Sequence, residues 1–64
     1  MKTGTVKFYD SEKGFGFIKD DETQTDIFVH RSGISERITD DDTVSYSIEQ
    51  GQKGLNAINV RIQR

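Results

Sequence analysis

Two short runs constrain this chain more than anything else in it: Lys13-Gly14-Phe15-Gly16-Phe17-Ile18 and Asp26-Ile27-Phe28-Val29-His30. Read as strands, their side chains alternate between two faces. Phe15 and Phe17 then share one face, with Gly16 and Ile18 on the other. Phe28 and His30 share a face, and Ile27 and Val29 share the opposite one. Pairing the two strands sends Ile18, Ile27 and Val29 into a core and leaves three phenylalanines and a histidine outside. Phenylalanine is usually a core residue, but here the inward positions are already taken. An outward cluster of rings beside Lys13 is suited to flat partners. Unpaired nucleic-acid bases fit, because every base has a π-face to lay on a ring.

The rest of the chain is also written for short strands. There is no proline, so glycine is the main punctuation. Residues 2–9 are rich in strand formers, and Asp10 to Gly14 reads as a turn. Residues 15–19 and 26–30 follow as strands, joined by the polar stretch 20–25. Residues 43–48 alternate cleanly, with Val44, Tyr46 and Ile48 on one face. Gly51 to Gly54 turns the chain into a fifth strand, in which Ile58, Val60 and Ile62 alternate with Asn59 and Arg61. No segment has a helical period, and Ser32 to Ser35 allows a single turn at most. Evenly spaced short strands predict an all-β barrel or sandwich. In so short a chain, closure is the economical way to hide edge strands. Five strands suit an OB-type barrel, with an SH3-like barrel as the nearest competitor.

With 64 residues the chain is expected to form one domain, residues 1–64, near the lower limit for folding without a staple. It has no cysteine, which excludes disulfides and thiolate metal sites. No signal-peptide run or membrane-length apolar stretch is present, so a cytoplasmic location is expected. The net charge of −2 argues at first against a nucleic-acid partner, but its distribution does not. Residues 1–19 hold four lysines against two acids, and residues 50–64 hold three cations and no acid. The nine acids of residues 20–49 face only Arg31 and Arg37. One positive face on an acidic molecule is therefore feasible.

Other candidate chemistry falls away. His30 is the only histidine and has no cysteine to share a ligand set, nor any patterned serine or acid to form a triad. It reads as a stacking or hydrogen-bonding ring beside Phe28. Gly14-Phe15-Gly16 lacks the third glycine and the following helix of a phosphate loop. The acidic runs 20–22 and 40–42 lack the ligand spacing of a calcium loop and read as solvated turn acids. No catalytic set, metal site, cofactor or small-molecule substrate is expected. Phe8 and Tyr9 are adjacent, so a regular strand points them to opposite sides, with Phe8 inward on parity with Val6. Lys7, Lys13 and Lys53 are candidates for phosphate contact.

Gly4-Thr5-Val6-Lys7-Phe8-Tyr9-Asp10, then the run 13–18, then residues 26–34, together resemble a cold-shock domain. Residues 54–60 are similar to that family's last strand. The resemblance spans nearly the whole chain in order. It implies a five-stranded antiparallel OB barrel that binds single-stranded RNA or DNA with weak sequence preference, as an RNA chaperone or antiterminator. It also implies that Phe8 and Tyr9 both reach the nucleic acid, where the family commonly has tryptophan then phenylalanine. Asp26 matches a family aspartate that can hydrogen-bond a base edge. Arg31 stands where many members carry another ring, and the stretch from Ile34 to Val44 has none. The expected interface is thus Lys7, Phe8, Tyr9, Lys13, Phe15, Phe17, Asp26, Phe28, His30, Arg31 and Lys53, on a monomer. Two rivals remain. An RRM shares the 13–18 run but needs two helices and an aromatic where Asp20 stands. A small β-barrel interaction module would grip a peptide with the same rings.

Overall fold

The computed structural model describes every residue except 52, 53 and 64, so Lys53 lies outside the described residues. Five strands form: β1 (Lys2–Asp10), β2 (Phe15–Asp20), β3 (Asp26–His30), β4 (Thr43–Gly51) and β5 (Gly54–Ile62). They close into a barrel in the order β1-β2-β3-β5-β4. A ring of five strands cannot alternate direction all the way round. The β3–β5 pair is accordingly parallel, through Phe28 opposite Asn56 and Val29 opposite Ala57, while the other pairs are antiparallel. One short 3-10 turn, η1 (Arg31–Gly33), follows β3.

The core is a single cluster in which Val6, Ile18, Ile27, Val29, Val44, Tyr46, Ala57 and Val60 come from the strands and Ile38 from the loop before β4. The alternation read in residues 15–30 is the alternation observed. Ile18 lies opposite Ile27 and faces in, and Phe17 lies opposite Phe28 and faces out.

Two bulges overturn the alternation elsewhere. In β1, Val6 opposes Ile18 but Phe8 opposes Phe17, so Lys7 is an extra residue. That one-residue slip moves every later side chain to the other face. Phe8 therefore points outward, against the parity expectation, and Tyr9 packs against the core. The slip presses Tyr9 onto Gly16, where any Cβ would run into the Phe8 carbonyl and the Tyr9 backbone. The second glycine of the 13–18 run is thus a requirement of the bulge. Beyond Thr5 the loop before β4 replaces that strand as the neighbour of β1. Val6 N–H donates to the Asp42 carbonyl at 2.8 Å, Asp41 N–H donates to the Val6 carbonyl at 2.8 Å, and Tyr9 N–H donates to Asp40 Oδ1 at 3.0 Å.

In β5 the bulge falls at Asn59, which takes a positive φ of 53°. Ser45 pairs with Arg61 and Ser47 with Ile58, so β5 carries one more residue than β4 between those pairs. The even alternation expected for Ile58, Val60 and Ile62 therefore breaks. Val60 is buried and Ile62 packs on the core, Ala57 takes an inward place, and Ile58 lies outside the core cluster.

Asp20 is a further correction, because it is buried rather than solvated. Its carboxylate accepts from Glu22 N–H at 2.8 Å, Thr23 N–H at 3.1 Å and the Tyr46 hydroxyl at 2.5 Å. The Lys2 ammonium stands 3.6 Å away. The Tyr46 bond, helped by the two backbone donors and Lys2, holds the Asp20 pKa down to about 2 against the opposing effect of burial. Burial and the same bond push the Tyr46 hydroxyl up.

Candidate nucleic-acid interface

Once the bulge has turned Phe8 outward, four phenylalanines form a closed set on the outer face of β1, β2 and β3. Phe8 stacks on Phe17 at a centroid distance of 6.2 Å, and Phe15 stacks on Phe28 at 6.0 Å. The two pairs meet edge to face, Phe8 with Phe15 at 6.1 Å and Phe17 with Phe28 at 5.9 Å. Each such contact contributes about 0.5–1.5 kcal/mol beyond the area it covers. The quartet is thus packed together before any ligand arrives. Phe8 is 38% exposed and the other three rings are half-buried.

His30 lies opposite Phe15 and is exposed at the end of this face. Its Nδ1 accepts from Ser32 N–H at 3.2 Å and stands 3.0 Å from the Ser32 hydroxyl, capping η1. With Nδ1 accepting, the neutral ring carries its proton on Nε2 and presents a donor there.

The charged candidates divide. Lys7, the bulge residue, pairs with Asp26 at 3.0 Å, and both side chains are largely exposed. An exposed pair of this kind contributes about 0.2–1 kcal/mol, so a phosphate can replace the carboxylate at little cost. Lys13 is exposed in the β1–β2 turn. Arg31 donates its backbone N–H to the Gly14 carbonyl at 2.8 Å, and its Cδ lies 2.9 Å from where a Gly14 Cβ would stand. Its stem therefore folds over Gly14. Tyr9 joins none of the ring contacts. It lines an open cleft of about 720 Å³ together with Ile34, Ile38, Glu36 and Arg37.

Two residues absent from the sequence-based set share the outer face. Lys19 has the parity of Phe15 and Phe17, opposite Asp26, and could have been found on that ground. Asn56 sits beside Phe28 through the parallel β3–β5 pair, which no local pattern announces.

The barrel with this phenyl face is that of a known class. Residues 2–63 match the 'Cold-shock' DNA-binding domain. The chain is 47% identical over 62 residues to the cold shock-like protein CspG of Shewanella violacea, covering 91% of this chain and 89% of that one. It is 41% identical over 64 residues to the major cold shock protein of Micrococcus luteus, covering 94% and 96% respectively. Among solved structures, drosophila Unr CSD456 superimposes with a TM-score of 0.82 at 27% identity. That match covers 98% of this chain but 26% of the other, which is therefore a much longer chain. The present chain belongs to the cold-shock domain family, and its function is nucleic-acid binding of the cold-shock type.

Proposed function

We propose that this chain, acting as one domain over residues 1–64, binds unpaired stretches of RNA or DNA and does no chemistry on them. The quartet of Phe8, Phe15, Phe17 and Phe28 carries the reading: four mutually braced rings are held at the surface where a core could have buried them. Bases stack on these rings and on His30. Lys7, Lys13 and Lys53 follow the phosphates, with Asp26 free to meet a base edge once Lys7 leaves it. Tyr9 and Arg31 act from the margin. Binding the open state of a weak hairpin shifts it toward open by mass action, which is the work of an RNA chaperone or antiterminator. The protein works as a cytoplasmic monomer, with no cofactor, metal or small-molecule substrate.

Titration of matched single-stranded and duplex oligonucleotides at several salt concentrations tests this. Single strands should bind better than duplex, with log affinity falling against log salt at a slope of about 0.7 per phosphate contact. Equal binding of duplex, or a flat salt response, would remove the proposal in favour of a barrel that grips peptides.

A further inference from the structure

Asn56 occupies a place on the phenyl face that the register of the β3–β5 pair gives it. It stands next to Phe28 across the β3–β5 pair and opposite Glu49 on β4. Its side chain reaches diagonally over Gly51, with the carboxamide Nδ2 and Cγ where a Gly51 Cβ would otherwise be. A Cβ at that position would displace the amide from where it lies. Asn56 is half-buried, and among the described residues no group hydrogen-bonds with its carboxamide. The outer face thus runs from the phenyl rings of β2 and β3 onto an amide on β5 that no described residue engages.

We infer that Asn56 reads the edge of the base stacked on Phe28, and that Gly51 positions it. This rests on the reading of the phenyl face as the nucleic-acid face. Stacking alone is indifferent to base identity, because every base has a π-face. A carboxamide offers one donor and one acceptor side by side and so can meet a Watson–Crick edge with two hydrogen bonds. Its isosteric acid offers acceptors only. Of the common bases, guanine alone presents two adjacent donors there, N1–H and the N2 amino group. Asn56→Asp should therefore shift the choice of base at this subsite toward guanine, a change that a purely structural role for Asn56 would not produce.

The experiment uses short single strands in which each position in turn carries each of the four bases, titrated against wild type, Asn56→Asp, Asn56→Leu and Gly51→Ala. At one position Asn56→Asp should favour guanine over the other bases by about fivefold or more, the low end of discrimination by a two-bond contact. Asn56→Leu should flatten whatever preference wild type has at that position and leave the others unchanged. Gly51→Ala should weaken the preference at that position in the same direction as Asn56→Leu, because its methyl displaces the amide. If wild type binds single strands but Asn56→Asp leaves base preference unchanged at every position, the inference is overturned and the platform reading stands. Failure of wild type to bind single strands at all would instead overturn the platform reading itself.

Discussion

The inner and outer faces of β1–β3 are both apolar and are built from the same few strands. Ile18, Ile27 and Val29 look inward and are essentially excluded from solvent; Phe8, Phe15, Phe17 and Phe28 look outward and remain partly wet. Hydrophobicity does not separate core from site here, and the larger side chains are on the outside. What separates them is partnership. The inner residues meet aliphatic neighbours from β4, β5 and the Ile38 loop, whereas the outer rings brace one another. A face whose apolar groups are ordered but uncovered is one prepared for a ligand.

Truncation on each side puts that contrast under the greatest load. Ile18→Ala should lower unfolding stability by about 2–5 kcal/mol, as buried aliphatic truncations do, with little change in affinity for single strands while the protein stays folded. Phe15→Ala should cost about 1–3 kcal/mol of binding and less stability than Ile18→Ala, since it vacates a half-exposed place. Urea unfolding and oligonucleotide titration of both variants check the pair. Greater damage to stability from Phe15→Ala would reverse the assignment of the two faces.

Among the described residues the barrel also holds one buried charged group. Asp20 is held at a pKa of about 2, below its ordinary 3.8, chiefly by the Tyr46 hydroxyl. A depressed carboxylate lends stability that is complete above its unfolded pKa and is lost as pH falls through the folded one. The window is therefore about pH 4 down to pH 2. Asp20→Asn should be less stable than wild type at neutral pH, and its stability should fall less steeply between pH 4 and pH 2. Parallel fall-off of the two proteins across that window would show that Asp20 is not the group responsible.

Much of the outer face was legible in the chain because Phe15, Phe17, Ile18 and residues 26–30 sit in regular strands, where a period of two decides direction. Legibility stopped wherever a bulge intervened. Phe8 and Tyr9 exchanged sides because Lys7 is an extra residue, and Ile58 left the core face because Asn59 takes a left-handed backbone. Neither bulge position, Lys7 or Asn59, is a glycine or proline. Asp20 reads as a turn acid from composition, and its burial depends on Tyr46, twenty-six positions away in sequence. Ile38 is a core residue in a loop without any period, placed there by the backbone bonds of residues 41 and 42 to β1. Asn56 belongs to the outer face only through the register of a parallel pair, which is a property of barrel closure.

A smaller effect sharpens the electrostatic side of the outer face. Lys7 and Asp26 are both candidate contacts, yet in the free protein they hold each other. Asp26→Asn should release Lys7, steepening the log–log salt dependence by up to the ~0.7 expected of one phosphate contact. Lys7→Gln should make it shallower by a similar amount. An unchanged slope in both variants would place the phosphates elsewhere on the barrel.

The smallest effect belongs to the margin, at Arg31. Many relatives are expected to carry a ring there, and a ring on the quartet would bring a full stack of about 1–3 kcal/mol. The geometry lowers that figure. Position 31 begins η1, and the Arg31 stem lies over Gly14, which is buried in the turn before β2. A phenylalanine at 31 would start from that same place and reach the base track only at its end. Arg31→Phe should therefore tighten single-strand binding by about 1 kcal/mol or less, below the range of a full stack. The loss of a cation should also make the salt dependence shallower. A gain of a full stack would mean that the outer face extends past His30 onto η1. A loss of affinity would mean that the guanidinium itself, which can stack on a base and attract phosphate at once, is the contact at this end.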